Sequence, residues 1–195
     1  ILVKLKDGKF TVPSDGESGI VYRVIGSRTS FVKPAGGNGT SSSPYQIDSL
    51  DDLNLIEENQ GAYYQLTSDI QTQGRINFTI SYFGGTLDGN GHTIYGLKKP
   101  LIAMNQGKIR NLRVVADFND DMQNVQGVIT QYNEGNIEDC MVTGTISGYM
   151  GGNGVVVYPE FGGIAGENAL AGIIFGCTSK LNVNLTMAPM KSWVG

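Results

Sequence analysis

The chain has 195 residues, with 14 basic and 18 acidic side chains and a formal net charge of -4. No run of basic residues is longer than Lys98-Lys99, which argues against a nucleic-acid-binding protein, because phosphate binding needs a clustered basic surface. No stretch approaches the roughly 18 apolar residues of a membrane-spanning helix. Only 16% of the residues are charged and 28 are glycines, a composition that favours β-structure rich in turns.

The N-terminal residues are predicted to form a small β module. The chain begins at Ile1 rather than at methionine, which predicts a removed leader or a piece of a longer protein. Residues Ile1 to Val12 alternate apolar and polar side chains around Asp7-Gly8, a dipeptide typical of a tight hairpin turn. We expect the module to span residues 1–33. The Gly- and Ser-rich residues 34–43 break the pattern and are interpreted as a linker.

A single amphipathic helix is predicted between Ser49 and Asn59. Ser49 can cap its first turn, and Leu50, Leu53 and Ile56 share one face. A short helix just before a run of strands can cover the first edge of a β-solenoid, which would otherwise expose unpaired backbone groups. We expect this helix to act as such a cap.

A repeat dominates the rest of the sequence. The segment Leu101–Leu112 aligns with Val128–Cys140 and again with Gly163–Cys177, in which two extra residues interrupt the copy. The anchors Gly107, Gly135 and Gly172 are 28 and 37 residues apart, spacings typical of a solenoid. The extra length of the second interval is assigned to an inserted loop at Ser147–Glu160, which is rich in glycine.

Each copy ends in an Ile-x-x-Leu or Ile-x-x-Cys motif, at Ile109/Leu112, Ile137/Cys140 and Ile174/Cys177. Stacked coils would place these residues in inward ladders, because one coil cannot bury its apolar face alone. Ile94 and Leu97 repeat the motif too close to Ile109 for a full coil, so this rung is predicted to be compressed or out of phase. The sequence thus predicts an all-β protein, a short right-handed parallel β-helix over residues 44–185 followed by a tail at 186–195.

Three parts of the sequence carry a family resemblance. Pro44–Ile70, Gly85–Leu97 and the repeat copies resemble the GLUG-type repeats of bacterial surface proteins. They are also similar to the N-terminal β-helix of the streptococcal IgA-protease family of zinc metallopeptidases. The resemblance covers roughly Pro44–Leu185 and implies a fold more than a function, because one fold hosts many functions.

The chain also departs from the pattern of these repeats. Leu112 stands where cysteine is common, and Gln131 stands where glycine is common. The sequence contains no His-Glu-x-x-His zinc motif, so the resemblance implies no protease site within this chain.

Polar residues offer two candidate sites. His92 is the only histidine and would have to be the base of any Ser/His/Asp triad, but Asp88-Gly-Asn-Gly-His92 is typical of a tight turn. A calcium loop there is disfavoured, because Thr93 stands where such a loop needs glycine. A second cluster offers oxygen ligands for Ca²⁺, or else is a solvated turn; its members are Asp117, Asn119, Asp120 and Asp121.

A polysaccharide-cleaving β-helix would need two carboxylates on adjacent coils. The available candidates are Asp117, Glu138, Asp139 and Glu167. Glu138 and Asp139 are adjacent in one strand and are expected to point to opposite faces, so they would not act as a pair.

Cysteines and tyrosines complete the candidates. Cys140 and Cys177 occupy equivalent positions in successive copies and should lie one coil apart, as stacked free thiols or as a disulfide. Tyr132, Tyr149 and Tyr158 are expected in turns or in the inserted loop, where an exposed ring can contact a glycan or a partner protein. Ordinary loop packing is the alternative for each of them.

These features favour a non-catalytic extracellular module with a structural or adhesive role in a surface protein or filament, acting without a cofactor. One alternative is a polysaccharide-binding or polysaccharide-cleaving β-helix of the tailspike or lyase kind. Another is a non-catalytic module of a large surface protease. The expected partners are other copies of the chain or the rest of a longer surface protein, joined through the open ends of the β-helix, and a glycan is a further candidate.

Overall fold

The computed structural model describes residues 34, 36–72, 79–119, 126–150 and 161–187, without the side chains of residues 149, 150 and 187. The module predicted for residues 1–33, Tyr158 and the tail from residue 188 lie outside these ranges.

The described strands form three stacked parallel sheets. Sheet 1 contains β1 (Tyr45–Ile47), β2 (Tyr63–Leu66), β5 (Thr86–Asp88), β8 (Lys108–Arg110), β12 (Asn136–Glu138) and β16 (Ile173–Phe175). Sheet 2 contains β3 (Ile70–Gln71), β6 (Thr93–Leu97), β9 (Arg113–Phe118), β13 (Met141–Met150) and β17 (Thr178–Met187). Sheet 3 contains β4 (Ile80–Phe83), β7 (Ile102–Asn105), β11 (Thr130–Asn133) and β15 (Ala165–Asn168). A separate parallel pair joins β10 (Gln126–Gly127) to β14 (Phe161–Gly162).

Each coil passes through sheets 1, 2 and 3 in turn and stacks in register on the coil before it. Ile109 pairs with Ile137, and Ile137 pairs with Ile174, as the repeat predicted. The spacing between stacked residues is 22 for Asp88 and Arg110 and grows to 37 for Cys140 and Cys177. This architecture is a parallel β-helix and confirms the predicted all-β fold.

The motif at Ile94 and Leu97 is out of phase with the other copies. Ile94 pairs with Val114 and Leu97 pairs with Ala116, so both belong to sheet 2. The residue that stacks on Ile109 is Leu87 of sheet 1. The coil there is therefore complete. The prediction of a compressed coil is wrong, and the prediction of an out-of-phase motif is confirmed.

The first four residues of the predicted loop belong to a strand, and its residues 151–160 lie outside the described ranges. Ser147–Met150 belong to β13 and pair in parallel with Asn184–Met187 of β17. Glycine favoured the loop interpretation, but Gly144 within this strand lies so close to Ala116 that a Cβ would clash with its carbonyl oxygen. A glycine in this segment therefore does not require a turn, because two closely stacked backbones also require one.

The predicted helix closes one end of the β-helix. It consists of α1 (Leu50–Asn54) and a 3₁₀ helix (Leu55–Glu58), and the Ser49 hydroxyl accepts a hydrogen bond from the Asp52 N–H at 3.2 Å. Leu53 and Ile56 are fully buried. The Glu57 carboxylate accepts a hydrogen bond from the Ser81 N–H at 2.8 Å, at the outer edge of β4. The helix therefore caps the first strand of sheet 3, as predicted.

Part of the predicted linker packs against the first strands. Gly36 forms an antiparallel bridge with Gln46 of β1. The Gly39 carbonyl accepts a hydrogen bond from the Tyr63 N–H at 3.0 Å. These contacts cover the first strand of sheet 1, so sheets 1 and 3 are both covered at this end of the β-helix.

The corner between sheets 1 and 2 explains the Ile-x-x-Leu/Cys motif. The third motif residue is Asn111, Asp139 or Gly176, and its φ is 51°, 51° or 65°. This left-handed conformation suits glycine, asparagine and aspartate. It turns the chain so that Leu112 and Cys140, the next residues, point into the core, where both are buried.

Candidate binding surfaces

An asparagine ladder runs through the interior. The Asn105 side-chain amide donates to Asn133 Oδ1 at 2.7 Å, and the Asn133 amide donates to Asn168 Oδ1, also at 2.7 Å. Asn105 and Asn133 are fully buried, whereas Asn168 is exposed. Asparagine is common in turns, and its recurrence one coil apart is the signal in the sequence that could have indicated a ladder.

The outer face of sheet 1 carries paired charges. The Arg110 guanidinium binds the Asp88 carboxylate through Nε and Nη2, both at 2.9 Å from Oδ2. Lys108 Nζ lies 2.7 Å from Glu138 Oε2 on the next coil. These pairs cross from one coil to the next, so they reinforce stacking at the surface by a modest amount.

The structure does not gather the candidate carboxylates into a pair. Glu138 is bound to Lys108, and Asp139 occupies the exposed left-handed corner. That these neighbours point to opposite faces stays a prediction; strand alternation stops at the corner after Glu138, and Cys140 takes the inward position. Glu167 lies on sheet 3, where it pairs in register with Tyr132.

The candidate calcium ligands are only partly described. Asp117 lies on β9 and its carboxylate contacts the Lys98 ammonium group. Asn119 is exposed after the strand, while Asp120 and Asp121 lie outside the described residues. In the part of the chain that the structure covers, no three acidic, histidine or cysteine side chains come together as metal ligands would.

His92 lies beside an aspartate at the turn predicted for it. The His92 N–H donates to the Gly89 carbonyl at 2.8 Å, and Asn90 and Gly91 have positive φ. Its Nδ1 lies 3.4 Å from Asp69 Oδ1, which also accepts from the Thr93 N–H at 2.9 Å. Within the described ranges no hydroxyl or thiol hydrogen-bonds to this imidazole, so a triad has no nucleophile there.

The two cysteines stack one coil apart. The Cys140 N–H lies 3.4 Å from the Cys177 sulfur, and both residues are free thiols in the structure. Cys140 is buried and Cys177 is half-buried. Burial raises the pKa of the Cys140 thiol to about 12, with a smaller contribution from the neighbouring Cys177.

An aromatic stripe follows the outer face of sheet 3. Tyr82 pairs with Met104 and Met104 pairs with Tyr132, which places the three side chains on successive coils. The exposed fractions of Tyr82 and Tyr132 are 38% and 39%. The Tyr82 hydroxyl donates to Gln106 Oε1 at 2.9 Å, and Gln106 donates to Glu134 at 2.7 Å.

Tyr149 does not belong to this stripe. Tyr149 lies in β13 and not in the inserted loop, and Tyr158 lies outside the described residues. Tyr132 is likewise in a strand rather than in a turn. Tyr82 and Met104 were missed in the sequence, because the register that places them beside Tyr132 depends on the turns between coils.

The chain is similar to known proteins in sequence and in structure. No protein-family model matches the chain. The chain is 32% identical over 164 residues to halomucin from Haloquadratum walsbyi (strain DSM 16790 / HBSQ001), a match that covers 70% of this chain and 2% of halomucin. A crystal structure from Bacteroides ovatus, described as an immunoglobulin A1 protease, matches with a TM-score of 0.56 and 22% identity. That match covers 78% of this chain and 65% of the other, and it supports the β-helical fold.

The helices of the described part of the chain are too short to cross a membrane.

Proposed function

We propose that this chain is a non-catalytic extracellular module that gives a surface protein a stiff, structural or adhesive segment. The observation that carries the proposal is the continuous ladder from Tyr64 through Leu87, Ile109 and Ile137, which stacks successive coils into one core. A stacked solenoid resists bending because every coil shares backbone hydrogen bonds with the next. The similarity to halomucin supports a surface setting. The GLUG type of the repeat copies is part of the proposal and rests on their sequence.

The outer wall supports a non-catalytic role. Glycosidic hydrolysis needs two carboxylates that face one sugar, one as an acid and the other as a base or nucleophile. Asp88, Glu138 and Asp117 are instead each bound to a cationic side chain. A carboxylate that is paired in this way stabilises coil stacking. The outer faces of the sheets therefore favour a non-catalytic module, either adhesive or part of a large protease, over a polysaccharide-cleaving enzyme.

The stripe of Tyr82, Met104 and Tyr132 is the contact face that we assign to this module. The rings of two tyrosines stand about 10 Å apart, since each coil adds roughly 4.8 Å. Tyrosine combines an apolar ring with a polar hydroxyl, and this favours it at binding surfaces. The neighbouring Gln106 and Glu134 add an amide and a carboxylate that can bind hydroxyl groups. This combination favours an extended polysaccharide as the second candidate within the proposal.

Binding to immobilised polysaccharides tests the contact face. We expect Tyr82→Ala and Tyr132→Ala to weaken binding by about tenfold each, the loss of one good aromatic contact. Tyr63→Ala is the matched control, because Tyr63 is 40% exposed but lies on sheet 1. Equal losses from all three substitutions would contradict the stripe. Release of oligosaccharides by the intact chain would overturn the non-catalytic proposal itself.

A further inference from the structure

The end of the β-helix opposite the helix exposes its core. Ile174 is 38% exposed, although Ile137 and Ile109 on the same ladder are fully buried. Val183 is 47% exposed, although Ile146, its partner on the previous coil, is fully buried. The last coil therefore keeps apolar residues at inward positions that nothing in the described ranges covers.

Three further large apolar side chains surround this face. Leu170, Ile173 and Phe175 are 110%, 53% and 70% exposed. Together with Ile174 and Val183 they put five large exposed apolar side chains on the last coil, whereas single exposed apolar residues scattered over a surface would need no explanation. The remaining large exposed apolar residues of the described chain are three tyrosines on its sides, so the aliphatic surface is concentrated at this end.

The hydrogen bonds stop at the same place. The N–H groups of Ile173 and Thr178 donate to Gly135 and Cys140 of the previous coil. Asn168 accepts from Asn133 and uses one amide hydrogen for the Gly172 carbonyl at 2.9 Å. Its second amide hydrogen has no acceptor among the described residues. Asn105 and Asn133 each donate the equivalent amide hydrogen to the asparagine on the next coil.

The two ends thus differ in what they can accept. At the first end, Glu57 binds the edge of β4 and Gly36 bridges to β1, so another coil cannot stack there. At the last end, β15, β16 and β17 present their free edges in the same register that joins every earlier pair of coils. A second copy related by a two-fold axis would meet these edges antiparallel, which would break the parallel register of the ladders.

We propose that the open end formed by β15, β16 and β17 takes a further parallel β-helical coil from an adjoining segment of the same surface protein. This coil carries an amide side chain over Asn168 and apolar side chains over Ile174 and Val183. The inference rests on the proposed role as a module of a longer protein. It adds the requirement that the next segment continues the asparagine ladder, rather than being any apolar domain.

An extended chain tests the proposal, with a second copy of residues 163–187 joined directly after Gly195. This junction places the added Gly163 at position 196, an interval of 33 residues that lies between the 28 and 37 residues separating the earlier glycine anchors. Serine replaces the added cysteine, so that Cys177 reports on the former end and Cys140 serves as the buried reference. We expect thiol labelling of Cys177 to slow by about tenfold or more, and the amides of β15, β16 and β17 that face away from the previous coil to become protected from hydrogen exchange.

Two altered extensions separate a stacked coil from a loosely attached one. Aspartate at the added copies of Ile174 and Val183 should leave labelling of Cys177 as fast as in the original chain, because the buried charges prevent stacking. Leucine at the added copy of Asn168 should give weaker protection than the asparagine version, because the ladder then loses its acceptor. Equal protection with leucine and with asparagine would overturn the amide requirement.

A peptide in trans covers the case in which the extended chain misfolds. A peptide with the sequence of residues 163–187 and serine in place of its cysteine, added to the original chain, should slow Cys177 labelling in a saturable manner, and no slowing at millimolar peptide overturns the proposal. A dimer of the original chain in which Cys177 is already protected would overturn it too, because the end then belongs to a second copy. Neither readout depends on the tyrosine stripe, so a failure here is distinguishable from a failure of the proposed function.

Discussion

Asn105 and Asn133 are joined by a side-chain hydrogen bond of 2.7 Å across two coils, at a depth where neither residue reaches solvent. The Asn133 amide also binds the Gly135 carbonyl at 3.1 Å within its own turn. Each asparagine thus links a turn to the next coil. Because buried polar groups are costly without partners, this chain of contacts favours one register over any slipped one.

Replacing the central asparagine should be strongly destabilising. In Asn133→Leu the Asn105 side-chain amide loses its acceptor, and the Asn168 side-chain oxygen Oδ1 loses a donor. We expect a loss of about 2–4 kcal/mol in the free energy of unfolding, measured with urea. The exposed Asn182→Ala is the control and should change stability by less than about 0.5 kcal/mol.

A double variant separates the ladder from simple loss of packing. If the bond matters, Asn105→Leu combined with Asn133→Leu should cost about 1 kcal/mol less than the sum of the single losses, since neither amide is then left alone. Strict additivity would show that the two side chains act independently.

The isoleucine ladder provides a second, internally matched test. Ile137 and Ile174 are register partners, but the first is fully buried and the second is 38% exposed. Ile137→Ala should reduce stability by about 2–5 kcal/mol, because it leaves a cavity between two coils. Ile174→Ala should cost less than about 1.5 kcal/mol, because water already reaches that side chain. Similar losses at both positions would mean that Ile174 is covered in solution.

The sequence predicted the parts of the fold that recur as a repeated motif. Each copy of the repeat contains one glycine followed by one apolar pair, and this predicts that Ile109, Ile137 and Ile174 form one ladder. The structure stacks them in register. The capping helix was visible because Ser49 starts a 3.6-residue apolar period.

Two features that the sequence did not predict have a common physical cause, because asparagine and glycine each suit more than one kind of structure. Asparagine suits turns, so the buried bonds of Asn105 and Asn133 were not anticipated. Glycine suits loops and close backbone contacts alike, so the strand at Ser147–Met150 was taken for a loop. To predict the stripe of Tyr82, Met104 and Tyr132, one would need the number of residues in each corner between the sheets. The spacing of apolar residues does not determine that number.

A glycine contact between coils gives a third prediction. A Cβ at Gly135 would clash with the carbonyl oxygen of Gly107 on the coil below. Gly135→Ala must push the coils apart and should cost about 2–3 kcal/mol. Gly61→Ala is the control, because a Cβ there meets nothing within 4 Å, and it should be neutral or slightly stabilising. Equal urea midpoints for the two variants would contradict the close stacking of Gly107 and Gly135.

The Cys140 thiol predicts a loss of stability at high pH. Burial raises its pKa from 9.0 to about 12 in the folded chain, whereas the unfolded chain keeps the ordinary value. Below pH 9 the thiol is neutral in both states. As the pH rises from there toward 12, the unfolded chain releases this proton more readily, so ionisation favours unfolding and stability falls. By roughly pH 11 the difference should be on the order of 2 kcal/mol.

The comparison with Cys140→Ala isolates this effect from other groups that titrate in the same range. The free energy of unfolding of the original chain, measured with urea, should decline relative to that of Cys140→Ala above pH 9, while the difference between them stays constant from pH 6 to 8. Native-state labelling gives an independent reading: Cys177, which is half-buried, should react first, and Cys140 should react only on unfolding. A pH-independent difference between the two proteins, or rapid labelling of Cys140, would contradict its burial between the coils.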